Sequence, residues 1–369
     1  MQRRRAVLGR ELERCGISYA LVYGANRSGS AVMWLTGWPV TREALLVMAP
    51  GQDDDVLLVS FFNHVPQARR LSAARVEWAG TSAVATALDL IAARGRLPSR
   101  IGLAGPLPFD QYRLLAGQVP DVVDLNAACT RLRLVKSGEE MAALRRGAAL
   151  SDAAITALAG ALRPGATDHK VLAATEQAYT AQGGLHHVHY LGITPMDQPA
   201  LAVPAQWPTG RVIGSGDVIT CEISAAAVPD YAGQVLRTFT VGAPPTAPYS
   251  ELHAVAAAAY DAIAAILMPG ARAADLAAAA SLIEQAGFTA IDDLVHGFGG
   301  GYLPPVVPAP GRSLPAPDFP LVAGMTVVVQ PNIVTPDGRA GVQTGELLLV
   351  TEHGPQRLHV YPQGLQQMG

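Results

Sequence analysis

The feature that most restricts what this chain can fold into is an internal repeat in its C-terminal part. Leu162-Arg163-Pro164-Gly165-Ala166 returns as Leu267-Met268-Pro269-Gly270-Ala271, and each copy is followed by a helical pattern that stops at glycine, Lys170–Gln182 before Gly183 and Ala274–Gln285 before Gly287. Further on, Gly216-Asp217-Val218-Ile219-Thr220-Cys221-Glu222 returns as Gly324-Met325-Thr326-Val327-Val328-Val329-Gln330, and Ala232-Gly233 returns as Ala340-Gly341. Two copies at a period of about a hundred residues are too few and too long for a solenoid. They predict two similar halves, each of two helices plus antiparallel strands, packed about a pseudo-twofold axis. Glu222 and Gln330 then occupy equivalent positions and face each other across a central cleft, the natural place for a ligand.

Ahead of the repeat, short apolar runs alternate with helical segments. Ala20–Tyr23, Leu45–Met48 and Asp55–Val59 read as strands and Ala83–Ala93 as a helix, the pattern of an α/β unit. Asn126–Lys136 reads as a connecting segment. At Ser137 a long helix begins, because Ser137 and Glu140 have the spacing at which hydroxyl and carboxylate satisfy the free N–H groups of a helix start. Met141, Leu144, Ala148, Ile155, Leu158 and Leu162 continue its apolar stripe up to Pro164-Gly165. The expected organisation is therefore two domains, 1–130 and 131–369.

Composition narrows the function classes. With 369 residues, half of them hydrophobic and 15% charged, the chain can bury a sizeable core and is not disordered. A net charge of −3 leaves no electrostatic footprint for nucleic acid. Cys15, Cys129 and Cys221 are too few for a disulfide framework and suit a reducing compartment. Arg10, Glu11 and Glu13 interrupt the start of the chain before a secretory core forms, and His253–Met268 is too short for a membrane span. These features predict a cytoplasmic protein with a small-molecule partner and no membrane or nucleic-acid contact.

The order and spacing of several motifs resemble the creatinase/aminopeptidase P/prolidase/methionine aminopeptidase superfamily, whose fold is called pita-bread. They are Trp34-Leu35-Thr36-Gly37, the Leu132–Ser137 entry to the long helix, Gly216-Asp217, Arg237-Thr238-Phe239, His296-Gly297-Phe298-Gly299, Gly324-Met325 and the Leu349–Gly354 ending. The resemblance implies an α+β chain, a small N-terminal α/β creatinase-like domain followed by a duplicated pita-bread domain, and a homodimer. Most members hold two divalent metals with two Asp, one His and two Glu, because hard cations need several anionic oxygens. The matching positions here are Glu222, Gln234, His296, Gln330 and Gly345, so three anionic ligands are neutral. Glu346, next to the last of them, should point to the other face of its strand. The expectation is no metal and no cofactor, with a single cation at Glu222 and His296 as the alternative. The metal-free pattern of creatinase is not matched either, since no histidine lies between His189 and His253 and Leu303-Pro304-Pro305 replaces a His-Glu pair.

On this basis the residues read as a metal-independent enzyme acting on a small amide-, amidine- or lactam-like substrate, with hydrolysis as the default reaction. His296 would transfer a proton, since imidazole titrates near neutrality. Glu222, in an apolar run where an unpaired carboxylate is costly, would pair with it or with Arg237. Gln234 and Gln330 would hold a substrate carbonyl. His189, Tyr190, Tyr231 and Tyr302 complete the expected substrate-binding set, and strand spacing puts His187 and His189 on one face. The alternatives are a non-catalytic binding protein of the same fold and a metallopeptidase of the Xaa-Pro dipeptidase type.

Overall fold

The computed structural model describes residues 1–26, 28, 30–313 and 318–369. Contacts divide the chain into two units, Met1–Arg133 and Leu134–Gly369. The first contains α1 (Gln2–Arg14), β1 (Ala20–Ala25), α2 (Ala31–Thr36), β2 (Glu43–Met48), β3 (Val56–Val59), α3 (Val65–Leu71), β4 (Arg75–Trp78), α4 (Ala83–Ala93), β5 (Arg100–Ala104), α5 (Phe109–Gln118), β6 (Asp121–Asp124) and α6, which runs from Asn126 to Leu134. Its six strands form a mixed sheet in the order β4-β3-β2-β1-β5-β6. The central strands are continuous apolar runs because both sheet faces are covered: Val22, Leu46 and Leu57 belong to one core, Leu21, Leu45 and Leu58 to the other. The segment read as a connection, Asn126–Lys136, is mostly the helix α6. Its alanines, leucines and arginines are good helix formers, and the Asp124 carboxylate accepts from the Asn126 backbone N–H at its start.

The second unit opens with α7 (Gly138–Ala161), and both arms of the Ser137–Glu140 capping box are present. There follow α8 (Asp168–Thr180), β7 (Leu185–Pro195), β8 (Asp217–Val228), β9 (Tyr231–Val241), α9 (Ala247–Ala265), α10 (Ala273–Ala279), α11 (Leu282–Gln285), β10 (Thr289–Ala290), β11 (Val295–Phe298), β12 (Tyr302–Val307), β13 (Thr326–Val329), β14 (Ile333–Val334), β15 (Gly341–Val342), β16 (Gly345–Thr351), β17 (Gly354–Arg357) and β18 (Gln366–Met368). The main sheet runs β12-β11-β13-β16-β9-β8-β7, with the two repeat halves meeting where β16 pairs β9. The α+β duplicated architecture is thus present. The long β8–β9 hairpin of the first half corresponds to a broken one in the second, β13 and β14 followed by β15 and β16. Helices α7 and α8 close one core over β7–β9, and α9 to α11 close another over the second half. Among the described residues no helix is long and apolar enough to cross a membrane.

Candidate active site

Strand register decides which side chains can meet. In an antiparallel pair, residues directly opposite share a face, and neighbours along a strand alternate. Ser224 lies opposite Gln234, and Glu222 is two residues before Ser224, so Glu222 and Gln234 share one face of the β8–β9 hairpin. In the second half His296 lies opposite Val328, two residues before Gln330. Three of these side chains, Glu222, Gln234 and Gln330, form one hydrogen-bonded chain. Gln234 Nε2 donates to Glu222 Oε1 at 3.0 Å and to Gln330 Oε1 at 2.9 Å. The His296 ring stands on the same sheet face, its Nδ1 bonded to the Gly297 carbonyl at 3.2 Å. The amides Gln234 and Gln330 and the imidazole are buried, at 4%, 3% and 2% exposure.

Sequence reasoning missed a further acidic group on the loop before β11. Gln330 Nε2 donates to Asp292 Oδ2 and to the Asp293 carbonyl, both at 3.1 Å, and Asn332 Nδ2 donates to the same Asp292 oxygen. Asp292 lies outside every motif that carried the resemblance. Its only sequence signal was a pair of acids, Asp292-Asp293, shortly before His296. Loss of hydration, with the charge of Asp292 second, pushes the Glu222 carboxyl up to about 8. Burial also raises Asp292, and it drives His296 down to about 4, so this imidazole is neutral at ordinary pH.

The remaining expected residues divide. Tyr302 stacks on His296 at 4.1 Å between ring centroids, and its hydroxyl donates to Asp293 Oδ2 at 2.5 Å, so it fixes the plane of the imidazole. Tyr190 lies opposite Glu222 and shares its face. Tyr231 does not join them: its hydroxyl donates to Glu140 of the α7 capping box at 2.8 Å. His189 does not either. A bulge between His186 and Val188 inserts an extra residue into β7, so His189 lies opposite Ile223 on the helix-covered face, while His187 packs against Phe298. The expected shared face of His187 and His189 is corrected by that bulge. Arg237 is likewise unavailable to Glu222. It is paired across the back of the sheet with Glu346 at 2.6 Å, and Glu346 also accepts from Arg357 and Tyr260.

Two cations do not fit this donor set. Where the resemblance puts cations, the Gln234 amide donates N–H bonds to the two acceptors that face it. Gly345 supplies no side chain, and a Cβ there would stand 2.4 Å from the Val329 carbonyl oxygen. One cation fits its chemistry. Glu222 and Asp292 are partly buried carboxylates to which, among the described residues, no lysine or arginine donates a hydrogen bond. Asn332 Oδ1, beside them, is a buried acceptor with no donor. An excess of acceptors around a neutral imidazole suits a single divalent ion, with the carboxamide oxygens as further ligands.

Comparison with known proteins bears on this reading. The signature of metallopeptidase family M24 matches residues 142–352. The probable dipeptidase PepE of Mycobacterium tuberculosis (strain H37Rv) is 30% identical over 239 residues, 64% of this chain, and the match spans only about three fifths (61%) of that relative's length. The Xaa-Pro dipeptidase of Lactobacillus helveticus is 27% identical over 67% of each chain. In three dimensions the dipeptidase PepE from Mycobacterium ulcerans superposes with a TM-score of 0.83 at 23% identity, covering 100% of this chain and 97% of its own, a likeness that concerns the fold. These relatives overturn the expectation of a metal-independent enzyme for small amides, amidines or lactams, since the matched family is one of metallopeptidases and the relatives just named are dipeptidases. The expectation counted carboxylates only at motif-matched positions and so left Asp292 out of the charge balance. The fold, the duplicated halves and the matched signature agree: this chain belongs to metallopeptidase family M24.

Proposed function

We propose that the chain hydrolyses short peptides and does so with one divalent cation where most of its superfamily uses two. The observation that carries this reading is the hydrogen-bonded network of Glu222, Gln234, Gln330 and Asp292, with His296 on the same sheet face, rich in unmatched acceptors and lying within the M24-matched span. Glu222 and His296 would hold the ion, with carboxamide oxygens and Asp292 beside them. When bound, such an ion polarises a peptide carbonyl and makes a water more acidic. The chain's own groups do the rest. Tyr302 and the Gly297 carbonyl hold the His296 ring in one orientation. Gln330 and Asn332 aim Asp292, and Tyr190 borders the face on which a substrate lies. The homodimer, supported by the resemblance to two-domain members, the cytoplasmic location, supported by the few scattered cysteines, and the division into domains 1–130 and 131–369, supported by the helix start at Ser137, are part of the same proposal; light scattering tests the first of these.

The test uses untagged, chelator-stripped protein and a panel of dipeptides, Xaa-Pro among them, with and without added Mn²⁺, Co²⁺ or Zn²⁺. Hydrolysis that requires added metal and is lost in Glu222→Gln supports the reading. One observation favours a second reading, a peptide-binding protein without turnover: the Gln234 N–H groups bond to both Glu222 and Gln330. Peptide binding by calorimetry with no hydrolysis under any metal would establish that alternative and overturn the first.

A further inference from the structure

The bulge in β7 creates a feature that the cleft does not use. In a regular strand His186 and His189, three residues apart, would face opposite sides. The extra residue at His187 brings both to the helix-covered face, opposite Ala225 and Ile223, with ring centroids 4.6 Å apart. Glu176 of α8 faces them, its Oε1 3.8 Å from His186 Nδ1. One ligand atom from each of Glu176, His186 and His189 lies within 4.8 Å of the others, the only such trio of His, Cys, Asp or Glu among the described residues. A second observation is independent of this clustering. His189 is 8% exposed, and its Nε2 is buried without a hydrogen-bond partner. Its other ring nitrogen, Nδ1, bonds to the Val188 carbonyl. That arrangement fixes the tautomer with the proton on Nδ1 and leaves the Nε2 lone pair bare, as metal-binding histidines are held.

We propose that Glu176, His186 and His189 form a second metal site, separate from the cleft, for a borderline transition-metal dication such as Zn²⁺. Two imidazoles and one carboxylate are a common three-ligand set for zinc, with the fourth position left to water. Zinc–ligand bonds of about 2.0–2.2 Å require the trio to draw together from its present spread. The geometry allows this, because the side chains of His186 and Glu176 are 45% and 51% exposed, and turning inward costs His186 only the long 3.5 Å contact of its Nδ1 with the Tyr179 hydroxyl, whereas buried His189 is the fixed point. Tyr179, whose ring meets His189 edge-on at 5.3 Å, walls the site on the α8 side. A bound ion would tie α8 to β7, the edge strand of the main sheet. The site does not depend on what the cleft does.

The experiment uses untagged, chelator-stripped full-length protein. Zn²⁺ binding is measured by calorimetry, and Co²⁺ serves as a spectroscopic probe through its visible absorption. The wild type and Glu222→Gln, which impairs only the cleft, should both bind an ion with the strong absorption of four-coordinate Co²⁺. His186→Ala and Glu176→Gln, at half-exposed positions outside the core, should each weaken that ion at least about tenfold. They should also abolish the rise in thermal midpoint that Zn²⁺ produces, while metal-dependent peptide turnover stays within about twofold. Absence of the ion from Glu222→Gln protein that retains its wild-type circular dichroism would overturn the proposal. So would equal Zn²⁺ affinity in wild type and both rim variants.

Discussion

Replacing Glu346 by glutamine isolates the role of the only carboxylate adjacent to Gly345. Arg237 is 1% and Glu346 0% exposed at the side chain, so neither partner is solvated. Arg237 spends its remaining N–H groups on the Leu236, Gly345, Tyr361 and Pro362 carbonyls, and therefore cannot swing away to find another anion. Removing one member of a buried pair leaves the other uncompensated, at a cost of about 3–5 kcal/mol. The bond from Arg357, whose side chain is 43% exposed, adds little to this because water screens it. Urea denaturation followed by far-UV circular dichroism measures the loss, and hydrogen exchange at β9 and β16 locates it. Burial alone would raise the Glu346 carboxyl, but hydrogen bonds from Arg357 and the charge of Arg237 outweigh burial and hold it below the usual carboxylate range. A group whose folded pKa is depressed stabilises the protein above its unfolded value, near 4.5, and that contribution disappears as pH falls through the folded value. The wild type should therefore lose this contribution on acidification below about pH 4.5, and Glu346→Gln should lack it at every pH. A loss under about 1 kcal/mol at pH 7, or an unchanged acid limb in the variant, would refute the assignment of Glu346 to the back of the sheet.

Other outcomes follow from the same geometry. His296→Ala should lower metal-dependent dipeptide turnover at least about a hundredfold and weaken the cleft ion, read by steady-state kinetics across a metal titration. Tyr302→Phe deletes the bond to Asp293 that steadies the imidazole, and should lower kcat/KM about tenfold, mainly through kcat, while the thermal midpoint barely moves. Tyr231→Phe should do the reverse, costing about 1 kcal/mol of stability through the lost bond to Glu140 and leaving kcat/KM within about twofold. Gly345→Glu should lower the thermal midpoint without raising the number of ions the cleft binds, as plasma emission spectrometry would show.

The fold was legible because its signals are local and repeated. Two Pro-Gly stops, two glycine-led strands and the Ser137–Glu140 cap each state a backbone need that composition cannot disguise. The approach of Glu222 to Gln330 was legible for a related reason, since duplication makes their positions equivalent. What escaped depends on register or on distance along the chain. A single inserted residue at His187 reverses the faces of its neighbours, and nothing in His186-His187-Val188-His189 announces it. Arg237 faces Glu346, not Glu222, because one residue along a strand turns a side chain to the opposite side. Asp292 entered the site from a loop with no periodicity, and its meaning lay in the company of Gln330 and Asn332, about forty residues further on.

Gly345 bears on how such a site can change. The ends of β13 and β16 have closed over the volume where a side chain would begin, with the Gln330 Cα only 2.8 Å from that point. A single codon change therefore cannot supply a glutamate there, since the strand ends must part before the new carboxylate has room. Any route toward a two-ion centre has to begin with backbone adjustments around Val329 and Gln330, steps that bring no catalytic gain of their own. The order of mutations along such a route is thus set by sterics: the backbone around Val329 and Gln330 has to move before a side chain at 345 has room.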